Sequence, residues 1–516
     1  MTAPETQDSD SVSVSGRAPP GDPPHDSARE PGNPTLLAVR NALKLGASLV
    51  FTWGIALAIR LLLPRYLGPV RFGTINFADG FTTAFFIVLN LGADQYIRKE
   101  VAVRPSHATE FFGGVAVIRV ALALVVMGAM ALVLGVTGRE PEIQWLVLLY
   151  GLTQFFVTSN ATLSALLHAK GRVGAMSVLA VATKVIWAGG VLVAMATGAG
   201  LWAYAVSYLA SESVETFVLY GLARGHLGLR FRVAWTSTKV MLLAALPYYL
   251  ILFAQTAYAK LDVSLLEFMA GSEEVGWYGA AQTVAGLTLL ITPLIGWVLM
   301  PMFARAASRS REELDEQLRR SLELILVIAI PASLVINLGA ELWTRVIFGA
   351  AFAPAAPALR ILATMFVLMY VSIIYAQALI MLGRAWTLMV ISVVGLVANV
   401  ALNLALIPFS LRTFGPGGGG TGGALAIFGT EIVVATCLIG SVGKGAFDRR
   451  NVVAIGKSLA ACAVVALLDR RLAAWGLLRI AADVSLYAAL VLATGAVRLR
   501  EIVGMLKEAL RRRSRS

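Results

Sequence analysis

Lys260 and Asp262 stand two residues apart in the apolar run Tyr258-Ala-Lys-Leu-Asp-Val-Ser264. On a helix, residues at i and i+2 do not face each other. Lys260 can therefore reach a polar interior while Asp262 pairs with another helix; a purely structural ion pair is the competing reading. Lys184 and Arg119 are lone cations in other apolar stretches, and Arg60 stands near the end of a third. Cations so placed suit an anionic substrate, although Arg119 and Arg60, near helix ends, can also snorkel to the surface. Glu212 and Glu215 are spaced i,i+3 and share one helical face. Paired carboxylates within a membrane can carry protons, as in H+ or Na+ coupling, or can simply offset Lys184 or Arg119. Asp79 and Asp94 are weaker members of the same class.

These groups matter because of the elements that must carry them. Of 516 residues, 58% are apolar and 14% charged, where a soluble domain has about 25% charged residues. So much apolar surface requires lipid as part of the solvent. A spanning helix needs about 20 mostly apolar residues. Fourteen such segments are predicted near 43–63, 72–92, 112–135, 143–166, 174–196, 200–222, 240–268, 276–301, 322–340, 358–382, 386–408, 422–440, 453–468 and 474–497. With the amino terminus cytoplasmic, 30 of the 43 Lys and Arg fall on the cytoplasmic side, 8 outside and 5 within spans. That bias fits the positive-inside rule and returns the carboxy terminus to the cytoplasm. It also accounts for the net charge of +13 without nucleic acid as a partner.

Internal repetition divides the spans. Gly68-Pro-Val-Arg-Phe-Gly73 after span 1 matches Gly271-Ser-Glu-Glu-Val-Gly276 after span 7, and Gly171-Arg172 after span 4 matches Gly383-Arg384 after span 10. Spans 1–6 thereby pair with spans 7–12 in the same orientation, a recurring transporter design with the substrate path between the halves. The expected organisation is a cytoplasmic tail (1–38), an amino-terminal lobe (39–235), a carboxy-terminal lobe (236–445), two added helices (446–497) and a basic tail (498–516). Residues 1–34 hold seven prolines and no aromatic, leucine or isoleucine, the composition of a disordered segment, and lack the apolar stretch of a signal peptide. In the basic tail, Leu499, Ile502, Val503, Leu506 and Leu510 share a face, with Arg and Lys elsewhere around it, the pattern of a helix lying on an anionic leaflet.

No enzyme constellation is present. His25, His107, His168 and His226 lack metal-ligand spacing. Cys437 and Cys462 sit in apolar runs as packing residues. Asn76, Asn90, Gln255, Gln282, Gln377, Asn399 and Asn403 suit interhelical hydrogen bonding. The run Gly415-Pro-Gly-Gly-Gly-Gly-Thr-Gly-Gly423 lacks the Lys-Ser/Thr of a phosphate loop and is expected to be a flexible outer loop.

Several stretches resemble the polysaccharide or O-antigen flippases, within the superfamily of multidrug, oligosaccharidyl-lipid and polysaccharide exporters. They are Leu63-Pro-Arg-Tyr-Leu-Gly-Pro-Val-Arg-Phe-Gly73; Leu246-Pro247 with Ala259-Lys-Leu-Asp262; Trp277-Tyr-Gly-Ala-Ala-Gln282; Ala358-Leu-Arg-Ile-Leu362; Leu382-Gly-Arg384; and Asn399 to Asn403 leading to Ile407-Pro408. The resemblance implies an all-α integral membrane fold, with two six-helix lobes around a lumen and two extra helices. It implies movement of an undecaprenyl-diphosphate-linked oligosaccharide from inner to outer leaflet of a bacterial cytoplasmic membrane by alternating access, driven by an ion gradient. No cofactor is expected. The expected partners are that lipid-linked oligosaccharide, the bilayer and a polysaccharide polymerase or export complex. The match points most clearly to Asp262, with Lys260 beside it; Arg60, Lys184 and Arg119 rest on position. A lipid II flippase of the same superfamily is the near alternative, but it would be expected to carry an Arg-Asp pair in span 1, where this chain has Lys44 and Arg60. A drug antiporter typically stops at twelve spans. A membrane-embedded enzyme lacks both an acid/base cluster and an outer domain here.

Overall fold

A computed structural model describes residues 34–92, 97, 107–169, 173–229, 231–292, 299–443, 449–469 and 477–494. The tail before Pro34, Asp94, Gly171-Arg172 and the basic tail expected to form a surface helix lie outside the described residues. Every element is helical, with no strand among the described residues. The helices are α1 (Pro34–Phe86), α2 (His107–Val136), α3 (Pro141–Ala169), α4 (Val173–Thr197), α5 (Leu201–Leu227), α6 (Trp235–Ala270) and α7 (Ser272–Ala285). They continue as α8 (Met300–Arg309), α9 (Arg311–Leu338), α10 (Ala356–Met381), α11 (Ala385–Phe414), α12 (Gly418–Val442), α13 (Arg449–Asp469) and α14 (Leu477–Ala493).

Eight helices among the described residues are long and apolar enough to cross a membrane, or nine when the bent pair Trp235–Leu246 and Tyr249–Ala270 is taken as one span. Fourteen crossings were expected, and part of the difference has physical causes. The stretch Ser48–Asn90 counts once, yet at 1.5 Å per residue it measures about 65 Å, twice a bilayer core. It consists of two helices meeting at Gly68 (φ 74°, ψ 172°), a conformation open to glycine alone. α5 is less apolar because it carries Glu212 and Glu215, and α7 has only 14 residues.

The first of the two motif matches has a structural counterpart. Gly271, between α6 and α7, repeats the backbone of Gly68 (φ 88°, ψ 174°). The glycine ending each motif then meets the other motif. A Cβ on Gly73 would lie 1.6 Å from the Ser272 carbonyl oxygen, and one on Gly276 would lie 2.0 Å from the Pro69 carbonyl oxygen. The contact is reciprocal, so a Cβ at either position is sterically forbidden. Around it Phe72 packs edge-on against Phe352 at 6.3 Å, and the Trp277 indole donates to the Ala351 carbonyl at 2.8 Å. The two glycine motifs are thus joined backbone to backbone.

The polyglycine run is not a loop. Gly418 to Gly423 form the first turns of α12 and are buried. Glycine's low helix propensity is overridden by close packing: a Cβ on Gly418 or Gly422 would fall 2.5 Å from the carbonyl oxygen of Ser410 or Leu406 in α11. Small residues four apart let two helix backbones touch. The Glu274 carboxylate of α7 accepts from the backbone N–H groups of Gly417 (2.6 Å) and Gly420 (2.9 Å). It satisfies two of the donors that a helix start leaves open and complements the helix dipole.

Candidate functional site

The ionisable groups singled out in the sequence fall into three settings. In the first, Asp79 on the second leg of α1 meets Lys260 of α6, Oδ2 to Nζ 3.6 Å, with side chains 35% and 37% exposed. This pair links the two sequence halves. Arg60, on the first leg of α1, is exposed, and with Asp79 and Glu212 it lies within electrostatic reach of Tyr208. Tyr208 of α5 packs beside Tyr150 of α3, ring centroids 6.1 Å apart. Two aromatic hydroxyls therefore stand among these charges, a feature the sequence reading did not single out.

The second setting is the α3–α4–α5 corner. Lys184 Nζ lies 3.8 Å from Glu212 Oε1 and 5.5 Å from the Trp187 ring, its neighbour at i+3 on α4. Asn160 of α3 donates to Glu212 Oε2 at 3.0 Å and accepts from the Thr216 hydroxyl at 2.5 Å. Glu215 accepts from the Thr183 hydroxyl at 3.1 Å. The shared face expected of Glu212 and Glu215 is the one turned toward α3 and α4.

The third setting is interior. Asp262 is wholly buried and accepts from the Tyr278 hydroxyl at 2.5 Å, the Gln282 amide at 3.3 Å and the Val263 backbone N–H at 2.7 Å. Lys260 and Asp262 thus point apart, as i,i+2 spacing requires, and make no ion pair with each other. Arg119 is also buried. It donates to the carbonyls of Leu89 (2.8 Å), Asn90 (3.3 Å) and Thr158 (3.0 Å) and to the Thr162 hydroxyl (2.5 Å). At Leu89 and Asn90 its guanidinium satisfies carbonyls left open where the stretch Ser48–Asn90 ends. The structure therefore brings Asp79 and Lys260 together, sets Lys184 with Glu212, and draws Arg119 and Asp262 into packed helix contacts.

One charged contact and one buried carboxylate were not anticipated. Arg139, between α2 and α3, bonds Glu267 of α6 through Oε1 at 2.8 Å and through its backbone carbonyl at 3.0 Å. The same guanidinium lies over Phe268 at 5.0 Å. These partners are 128 residues apart, and nothing local in sequence joins them. Glu431 in α12 is 3% exposed. The rule that flags an ionisable residue in a span would have found it.

The class of protein comes first from the fold. The structure superimposes on one described as "Lipid II flippase MurJ, inward closed conformation" with a TM-score of 0.67, covering 86% of this chain and 97% of that one at 13% identity. It also superimposes on an inward-facing multidrug resistance MATE family transporter of the MOP superfamily, TM-score 0.55, covering 75% of this chain and 98% of that one at 16% identity. At these identities the likeness is one of fold alone. The sequence gives the narrower grouping. The family described as "Polysaccharide biosynthesis protein" matches residues 38–307, more than half of the chain, and the chain belongs to it. A curated relative, the "Probable low-salt glycan biosynthesis flippase Agl15" of Haloferax volcanii, is 23% identical over 243 residues. That alignment covers 46% of this chain and 50% of the relative, so the chain spans about half the length of the curated relative it matches.

Proposed function

We propose that this chain is a flippase of polysaccharide biosynthesis that moves an oligosaccharide linked to undecaprenyl diphosphate from the inner to the outer leaflet of a cytoplasmic membrane. The observation that carries the reading is the partly exposed Asp79–Lys260 pair between the two sequence halves, with Asp79 and Arg60 both within electrostatic reach of Tyr208. A pyrophosphate needs cations that remain accessible, and a lysine held by a single, partly exposed carboxylate at 3.6 Å can exchange that partner for a phosphate oxygen at little cost. Lys184, held by Glu212 in the same half, is the next cation along the proposed path. Glu212, Glu215 and Asp79 are the proposed ion-coupling carboxylates. Arg119, with four acceptors already in place, is left out of the substrate set, and Asp262 acts by holding α6 to α7.

In this reading residues 39–235 and 236–445 are two lobes, spans 13 and 14 are an addition, and both termini are cytoplasmic. The distribution of Lys and Arg and the repeated Gly68 and Gly271 turns support it. The reciprocal glycine contact is then the closed outer end of the substrate path. Alternating access requires that end to part.

The test is a deletion strain complemented with wild-type or Lys260→Ala protein, with lipid-linked repeat units measured in each leaflet. Repeat units accumulate in the inner leaflet in the deletion and in Lys260→Ala, and surface polysaccharide falls. Loss of surface polysaccharide without that accumulation overturns the flippase reading.

A further inference from the structure

Glu431 is the only Asp, Glu, Lys or Arg in α12. It stands thirteen residues after Gly418 and eleven before Val442, which at 1.5 Å per residue puts it roughly 20 Å from one helix end and 17 Å from the other. In a helix that spans a bilayer core of about 30 Å, that is close to the midplane. Its side chain is 3% exposed, and Oε1 has no hydrogen-bond partner.

Of the described basic residues on the elements packed around it, none pairs with Glu431: Arg360 of α10 is held by Glu341, and Arg412 lies in the last turn of α11. α10 contributes Ser372, a buried hydroxyl facing the carboxyl. α6 contributes Tyr258, within electrostatic reach. Farther along α6, Lys260 is engaged with Asp79 and Asp262 with Tyr278. α11 presents Gly395 at this level, whose open Cβ position is walled by Val434, Thr430 and Tyr258. α7 meets α12 near its start, where Glu274 holds Gly417 and Gly420 and Tyr278 packs on Gly420 and Gly423. The adjacent Thr430 hydroxyl is spent on the Ala426 carbonyl. Among the described residues no Lys or Arg forms an ion pair with Glu431.

An ionised carboxylate so placed would cost several kcal/mol, whereas the neutral acid carries no charge into the membrane. A metal cation is a poor occupant. Hard cations take about six oxygens or more, and among the described residues no group of three or more His, Cys, Asp and Glu side chains could hold one.

We propose that Glu431 is a proton-binding site in the carboxy-terminal half, loaded in the conformation described here and emptied when the α6–α10–α12 interface opens to water during transport. The first part stands on the geometry alone; the second rests on the flippase reading. The step is a simple acid–base exchange. The carboxyl O–H bond breaks, the electron pair stays on the carboxylate, and water takes the proton; the reverse reloads the site.

The test combines two measurements on purified full-length protein. Infrared absorption of the wild type shows a protonated-carboxyl C=O stretch that is absent in Glu431→Gln. Ser372→Ala, which leaves the acid in place, shifts that band and guards against a folding defect in the glutamine variant. In vesicles with an imposed pH gradient, movement of a labelled undecaprenyl-diphosphate oligosaccharide responds to the gradient in the wild type and in Glu431→Asp, and the response is lost in Glu431→Gln. A band that is missing from the wild type, or unchanged in Glu431→Gln, overturns the proton site. A gradient response that survives in Glu431→Gln overturns its part in transport. If the wild type moves no lipid-linked oligosaccharide while the Glu431 band is present, the flippase reading fails and the proton site stands.

Discussion

In the amino-terminal half, the buried Arg119 apart, polar groups of the spans form loose pairs whose lysines remain reachable: Lys184 sits 3.8 Å from Glu212, and Asp79 reaches across to Lys260 at 3.6 Å, each lysine about a third exposed. In the carboxy-terminal half they are sealed. Asp262 is held by Tyr278, Asn403 donates to Asn399 within α11, Glu274 caps α12, and the α11 and α12 backbones touch through Gly418 and Gly422. The two halves therefore differ in access: a loosely held cation can exchange its partner, whereas a sealed polar group must wait for its helices to part. The lysine that bridges them, Lys260, belongs by sequence to the sealed half and by contact to the open one.

The joint between the halves is the first place to break this comparison, and the expected effect is the largest. A methyl on Gly276 or Gly73 meets backbone atoms rather than flexible side chains, so the cost exceeds the roughly 1–3 kcal/mol of ordinary overpacking. Gly276→Ala and Gly73→Ala are expected to lower the unfolding temperature sharply and abolish surface polysaccharide. Gly128→Ala is the control, because nothing lies within 4 Å of that Cβ position; it should be neutral or stabilising by about 0.5–1 kcal/mol. Equal behaviour of the three variants would show that the reciprocal contact is not under constraint.

Two charged contacts follow in size. Arg139→Gln leaves Glu267 buried with its ionised partner gone. Breaking a buried pair costs about 3–5 kcal/mol, and the 21% exposure of the Arg139 side chain sets the expectation at the lower end. Glu274→Gln keeps one acceptor oxygen for the α12 start and loses the charge and one of two bonds, an expected loss of about 1–3 kcal/mol. Thermal unfolding in detergent measures both. If Glu274→Gln proves more damaging than Arg139→Gln, the polyglycine start of α12, not the joint at α6, is the weaker element.

That the chain is built of membrane-spanning helices was legible in the sequence because lipid imposes a length and a composition that water does not, and the matching turns at Gly68 and Gly271 were legible because both glycines are backbone requirements before they are packing residues. The polyglycine run misled for a physical reason. Propensity reads it as a loop, and only the approach of Ser410 and Leu406 to within contact of its glycines makes it a helix. Lys260 and Asp262 were visible as charges in an apolar run, and their opposite directions follow from helical spacing. Their partners were not visible, since Asp79 and Tyr278 are supplied by other helices. Arg139 with Glu267 was hidden for the same reason, each lying at the end of an element where a surface charge is unremarked.

The smallest expected effect on stability bears most directly on the contrast between open and sealed halves. Asp79 and Lys260 are both more than a third exposed and 3.6 Å apart, so their attraction is largely screened and contributes about 0–1 kcal/mol. Asp79→Asn and Lys260→Met are therefore expected to unfold at nearly the wild-type temperature. Transport should separate them. Lys260→Met removes a cation offered to the pyrophosphate and is expected to lose most surface polysaccharide. Asp79→Asn frees that cation, so substrate binding tightens and release slows, and the measured apparent affinity should rise while turnover falls. The reversed pair Asp79→Lys with Lys260→Asp restores the attraction and moves the cation from α6 to α1. Full activity in the reversed pair would mean that the ion pair itself is what transport requires, placing Lys260 with the structural contacts of the sealed half. Continued loss would mean that the lysine must stand on α6, where it can follow the carboxy-terminal half as the joint opens.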